Sequence, residues 1–112
     1  MADHAQLGLY AHVSRAGGAV TITLVGEIDY SSLNVARQAL HDAGNDAISI
    51  VFDLSGVTFC DCAGIGFLAM AASQFRAAGG EMTVRSPSRR VRRVLELTGT
   101  LACLCPDEQA AL

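Results

Sequence analysis

The strongest constraint on the fold is a strand-to-helix unit in the middle of the chain. Residues 48–54 are β-branched and apolar, as in an interior strand, and residues 65–76 have the length and period of a buried helix. The turn between them, from Phe59 to Gly66, is therefore expected to lie exposed at one end of a sheet. In α/β folds binding sites collect at this edge, because the N–H groups of helix starts point outward there.

The first part of the chain predicts an antiparallel pair of strands. Residues 7–13 are predicted to form the first strand, and Gly17 and Gly18 the hairpin turn that follows it. Over residues 20–24, apolar side chains alternate with threonines, as expected of a half-buried second strand.

Helices are predicted wherever capping residues and glycines bound an apolar period. The first begins after Ser31 and Ser32, which are good N-cap residues, and ends at Gly44. We predict further a helix over 64–78, a short strand over 82–85 and a helix over 88–97. Strands thus alternate with helices, which indicates an α/β fold: a mixed, mostly parallel sheet of four to five strands flanked by about four helices.

Size and charge exclude several classes of protein. The 112 residues are 51% hydrophobic, enough for the core of one domain spanning 1–112. No run approaches the length of a membrane span, and the first residues do not resemble a leader, so we expect a cytoplasmic protein without direct membrane insertion. The net charge of −3 provides no general attraction for nucleic acid.

One segment of the chain is basic, although the net charge of the whole chain is negative. Five of the eight arginines lie between residues 85 and 93. There Val91, Val94 and Leu95 can face the sheet while the arginines of the same helix stay in water. The cluster is either a solvated helix face or a surface for an acidic patch on a partner, and nucleic-acid binding is not expected.

Five short segments carry a resemblance to a known family. In order along the chain they read GEID at 26–29, VFDLSGVTF at 51–59, DCAGIG at 61–66, GGEM at 79–82 and VLELTG at 94–99. This combination resembles the STAS domain, and the bacterial anti-sigma factor antagonists in particular, over a core of about residues 7–104. The resemblance implies a protein that binds an anti-sigma factor, a serine kinase of the histidine-kinase-like ATPase fold, and so frees a sigma factor.

The family's phosphorylation motif maps onto the central turn. Its aspartate falls on Asp61, the phosphoacceptor serine on Cys62, the next small residue on Ala63 and the glycine on Gly64. Because a serine kinase is not expected to modify a thiol, the resemblance implies that partner binding is retained but phosphorylation control at this turn is absent. The residues expected to bind the partner are Glu27, Asp29, Asp61, Cys62, Ala63, Gly64 and Ile65.

Several of these residues have a second interpretation. Asp29 and Asp61 could be local turn or cap aspartates, whereas the resemblance implies that the turn at Asp29 lies close to the turn at Asp61 and that both face the partner. Gly64 and Gly66 could serve close packing on the sheet, approach by a partner's backbone, or both. Cys62 could be an oxidisable thiolate at a helix start, or a small residue that replaces serine without chemistry of its own.

Two other functions remain open at this point: a non-phosphorylated STAS subunit of a lipid-transport ATP-binding cassette complex, and a thiol-based enzyme or redox-regulated binding module. The Cys-x-Cys pairs at 60–62 and 103–105 have too short a spacing for a typical zinc site, so neither a metal nor a cofactor is expected. Disulfides are not expected in a cytoplasmic chain. The oligomeric state, the individual partner and the input signal are left open.

Overall fold

The computed structural model describes residues 3–6, 8–44 and 47–106. This part of the chain contains five strands and four helices. They are β1 (Asp3–Gln6), β2 (Leu9–Ala16), β3 (Ala19–Ile28), α1 (Leu33–Ala43), β4 (Ser49–Cys60), α2 (Cys62–Ala77), β5 (Glu81–Arg85), α3 (Arg89–Leu97) and α4 (Leu101–Leu104).

The strands form one mixed sheet in the order β1-β2-β3-β4-β5. The pairs β1–β2 and β2–β3 are antiparallel, whereas β3–β4 and β4–β5 are parallel. The predicted α/β fold with a mixed sheet of up to five strands and about four helices is confirmed. Strand β1 was not among the predicted elements, and the predicted start of the first strand, residue 7, lies outside the described residues.

The predicted hairpin joins β2 to β3. Gly17 and Gly18 have φ angles of 56° and 85°, so both central residues of the turn lie in the left-handed region that glycine favours. Ala16 and Ala19 close the turn as a cross-strand pair. The hairpin therefore follows from local sequence alone.

Strand β4 is longer than predicted. It does not end at Leu54 but continues through Ser55 and Gly56 to Cys60. Its second half remains paired with β3, and the register shifts between Thr23 and Val25 and again after Gly26 absorb the irregularity. As a result, β3 and β4 end side by side, which places the turns that follow them at the same edge of the sheet.

One face of the sheet carries the hydrophobic core. Alternate residues of β2 to β5, such as Val13, Ile22, Phe52 and Val84, are buried in one cluster with the apolar faces of the helices. Helix α1 packs on β1, β2 and β3, while α2 packs on β4, β5 and α4. Helices α1 and α2, which begin at the edge where β3 and β4 end, thus lie on different parts of the sheet.

The basic helix α3 has the predicted amphipathic character. Val91 and Leu95 are fully buried and Val94 is half-buried, while Arg89, Arg90 and Arg93 are exposed. Ser88 caps the helix by accepting a hydrogen bond from the N–H of residue 91.

Candidate functional site

The candidate site lies where β3 and β4 end. Ile28 pairs with Cys60 at the last position of the parallel ladder, and the N–H of Asp61 donates to the carbonyl oxygen of Ile28 at 3.0 Å. The turn at 29–32 and the start of α2 are consequently neighbours, although about thirty residues separate them in the sequence.

Asp61 connects these two segments through its side chain. Its Oδ1 accepts a hydrogen bond from the N–H of Gly64 at 2.9 Å, which caps α2. Its Oδ2 accepts from the N–H of Tyr30 at 3.2 Å, which reaches across to the other turn. Asp61 is therefore a cap aspartate and, with the same carboxylate, a link between the two halves of the site.

Asp29 folds the first turn on itself. Its Oδ1 accepts hydrogen bonds from the hydroxyl of Ser31 at 2.7 Å and from the N–H of Ser32 at 2.9 Å. The hydroxyl of Ser31 and the N–H of Ser32 hold the pKa of this carboxyl below its usual value, because both stabilise the ionised form. Asp29 thus remains an anion at the edge of the sheet.

Ser32 has a different role from the one predicted. It occupies the N-cap position of α1, but its side chain makes no capping hydrogen bond. Instead, its hydroxyl donates to the carbonyl oxygen of Glu27 at 2.9 Å and accepts from the N–H of Asp29 at 3.0 Å. With only 1% of its surface exposed, Ser32 is an internal brace of the turn.

The predicted site residues differ in their exposure. Glu27 and Cys62 are exposed, whereas Asp29, Asp61 and Ala63 are half-buried. Their polar and small side chains together form the outer surface of the site. Sequence reasoning overlooked Tyr30, which lies in the first of the two turns with 83% of its surface exposed. The signal that could have identified Tyr30 is its position directly after Asp29, because a turn is a place where an aromatic side chain is exposed.

Gly64 and Ile65 face inward. Ile65 is 4% exposed and belongs to the core, so its side chain does not form part of the outer surface. A Cβ atom on Gly64 would lie 2.6 Å from the Sγ of Cys60 and 2.8 Å from Cγ2 of Ile28. Gly64 is therefore required for close packing of α2 on the sheet, which supports the internal one of its two interpretations.

The two cysteines of the central turn have unlike surroundings. Cys62 is the exposed first residue of α2. Cys60 is buried, and burial, together with the nearby Asp61 and Cys62, raises the pKa of its thiol to about 12. Cys60 therefore stays protonated at neutral pH and is a poor partner for thiol chemistry at Cys62. All four cysteines of the chain are free thiols.

Within 3–6, 8–44 and 47–106, no three His, Cys, Asp or Glu side chains are grouped so that they could hold a metal ion. In the same part of the chain, none of the helices has the length and apolar character needed to cross a membrane.

Comparison with known proteins shows what this chain is similar to. The STAS domain family matches residues 10–109. The anti-sigma F factor antagonist of Lysinibacillus sphaericus is 27% identical over 82 residues, which cover 71% of this chain and 70% of the relative. The match to that relative includes most of each protein.

Solved structures agree with the fold. An anti-sigma factor antagonist from Mycobacterium paratuberculosis superposes with a TM-score of 0.74 at 25% identity, covering 87% of this chain and 83% of the other. The unphosphorylated form of the anti-sigma factor antagonist SpoIIAA has a TM-score of 0.70 at 22% identity, with 80% and 81% of the two chains covered. The names of these relatives describe regulatory proteins and not enzymes.

Proposed function

The chain belongs to the STAS domain family, and on this basis we propose that it is an anti-sigma factor antagonist that binds an anti-sigma factor and thereby frees a sigma factor. The names of the relatives support this role, as does the length over which they match. A cytoplasmic location follows from the proposal, because sigma factors act on RNA polymerase in the cytoplasm. The proposed partner is an ATPase of the histidine-kinase-like fold.

The observation that carries the proposal is the hydrogen bond between Asp61 and the N–H of Tyr30. It joins the turn that contains Asp29 to the start of α2, so that both segments present one continuous surface to a partner. Preorganisation of this kind lowers the entropic cost of association. The proposed contact residues are Glu27, Asp29, Asp61, Cys62 and Ala63, with Tyr30 added as an exposed aromatic anchor.

Gly64 and Ile65 are left out of the proposed contact surface because both side-chain positions point into the fold. Their role is to set the position of α2 on the sheet. Three carboxylates, those of Glu27, Asp29 and Asp61, give the remaining surface an acidic character, and we expect basic residues on the facing surface of the anti-sigma factor.

Cys62 determines how the proposed complex is regulated. A phosphoserine at the first position of α2 would add roughly −1.5 to −2 charges beside Asp61 and disrupt a fitted interface. A cysteine at this position removes the hydroxyl that a serine kinase would modify. The proposed antagonist therefore stays competent to bind in the presence of ATP, with no phosphorylation at this turn.

The test uses the full chain and the anti-sigma factor that it captures from its native host, identified by mass spectrometry and then purified. The native chain and its variants Cys62→Ser and Cys62→Ala are each incubated with this partner and ATP, and the intact mass of each is measured. We expect no phosphate on the native chain, phosphate on Cys62→Ser, and none on Cys62→Ala, which has neither a hydroxyl nor a thiol at this position. Phosphate on Cys62 itself would refute the regulatory part, and capture of transporter subunits instead of an anti-sigma factor would refute the function.

A further inference from the structure

A groove separates α1 from α2 and begins beside the candidate site. Its first section has a volume of about 450 Å³ and starts between Leu33 of α1 and Ala63 of α2. A second section of about 330 Å³ shares Leu40, Ala71 and Gln74 with the first and continues towards the ends of both helices. The groove thus follows α1, whose 11 residues correspond to about 16 Å, or three helical turns.

The groove is apolar and open along its outer side. Leu33, Leu40 and Phe67 contribute apolar lining, and Met70 stands at the rim with 62% of its surface exposed. A small molecule in such an open groove would keep much of its surface in water, whereas typical ligand sites bury about 70–90% of the ligand. An amphipathic helix laid along the groove would bury its apolar face there and keep its polar face in water.

Gly66 leaves room on the α2 side of the groove. A Cβ atom at this position would meet nothing within 4 Å, so packing inside the chain does not require glycine here. Because glycine inside a helix is less stable than alanine, its presence at Gly66 has a cost that the isolated fold does not explain. An approaching helix would benefit from the missing side chain.

The charges around the groove favour an acidic partner segment. Arg37 and His41 of α1 are exposed along it, and none of the described residues that line its two sections carries a carboxylate. Among the described residues, Arg37 forms no ion pair or hydrogen bond through its side chain. A carboxylate on the incoming segment could pair with this guanidinium in a geometry that arginine recognises well.

We propose that this groove, called here the α1–α2 groove, receives an amphipathic helix of the anti-sigma factor. Apolar side chains one turn apart occupy the space between Leu40 and Met70, and an acidic side chain pairs with Arg37. The inference rests on the proposed function and extends it, since the groove continues directly from the acidic surface at Ala63. The antagonist would then hold its partner at two adjoining places of opposite charge.

The test measures the affinity of the purified anti-sigma factor for variants of the full chain by calorimetry. Gly66→Leu places a side chain in the groove, and Arg37→Glu reverses the charge at its edge. We expect each to weaken binding by about tenfold or more, with the effect of Arg37→Glu decreasing at high salt. The matched controls Ser73→Leu and Gln38→Glu change exposed residues of the same two helices outside the groove and should bind within about twofold of the native chain.

The outcomes separate the groove from the proposed function. Native affinity for both Gly66→Leu and Arg37→Glu, with weaker binding by Asp61→Ala, would refute the groove while leaving the antagonist role intact. If no anti-sigma factor is captured, both proposals are wrong. Dodecanoate that binds the native chain but not Gly66→Leu, without competing with the anti-sigma factor, would assign the groove to a small amphiphile and overturn the inference.

Discussion

Two glycines of α2, only two positions apart, are expected to respond in opposite ways to the same substitution. At Gly64, a Cβ atom would overlap with Cys60 and Ile28, at 2.6 Å and 2.8 Å. At Gly66 it would enter open space. Alanine should therefore destabilise the fold at the first position and stabilise it at the second.

The magnitudes follow from two competing effects. Replacing glycine by alanine inside a helix stabilises it by about 0.5–1 kcal/mol. Overpacking in a filled core costs about 1–3 kcal/mol, and neither Cys60 nor Ile28 can swing into solvent, because each is only 1% exposed. We expect a net loss of about 1–2 kcal/mol for Gly64→Ala and a gain of about 0.5–1 kcal/mol for Gly66→Ala, since only the first substitution overpacks the core.

Equilibrium unfolding in urea, followed by far-UV circular dichroism, measures both changes. Thermal unfolding provides a second measurement, in which a change of 1 kcal/mol in the free energy of unfolding corresponds to about 4 °C in melting temperature for a domain of this size. Adding Cys60→Ala to Gly64→Ala removes the nearer of the two overlapping atoms, so the double variant should lose less than the sum of the single losses. The packing argument would be contradicted if Gly64→Ala were as stable as the native chain, or if it were more stable than Gly66→Ala.

Two further predictions concern the polar contacts. Ser32→Ala should lower the free energy of unfolding by about 1–3 kcal/mol, because it removes two part-buried hydrogen bonds worth about 0.5–1.5 kcal/mol each. Ser31→Ala at the exposed neighbour should cost less than about 1 kcal/mol, and urea unfolding compares the two variants. Burial alone would raise the pKa of Asp53, but hydrogen bonds from Ser55 and Arg85 outweigh it and lower the pKa below its ordinary value of 3.8. The ionised form of Asp53 thus stabilises the fold above about pH 4, and this contribution is lost as the pH falls through the lowered pKa. Between about pH 6 and 3, the free energy of unfolding should therefore decline less steeply for Asp53→Asn than for the native chain. An equally steep decline in both proteins would contradict this role of Asp53.

Elements specified by local residues were predictable from the sequence. The hairpin at Gly17 and Gly18 depends on two residues with positive φ, and α3 depends on Ser88 and an apolar period. The second half of β4 was not predictable in this way, because Ser55 and Gly56 resemble a strand end. It remains a strand only because the neighbouring β3 supplies a pairing partner, and that information is not local.

The candidate site shows the same division. The sequence identified the carboxylates and Cys62, and the resemblance implied that the two turns lie close together. The sequence did not reveal the brace formed by Ser32, because the carbonyl oxygen of Glu27 reaches it only after the turn has folded. The α1–α2 groove could not be predicted either, since it depends on how far apart the two helices stand on the sheet.

The position of Cys62 beside Asp61 connects the geometry of the site to its proposed regulation. A phosphate on residue 62 would bring its charge next to a carboxylate whose Oδ2 already holds the N–H of Tyr30. Repulsion between the two anions would act on the hydrogen bond that joins the turns, and would therefore disturb both parts of the contact surface at once. On the proposal that Cys62 is not phosphorylated, that perturbation would not arise, and the two turns would stay joined in the presence of a kinase and ATP. The replacement of one atom, oxygen by sulfur, would thus convert a switchable surface into a permanently competent one.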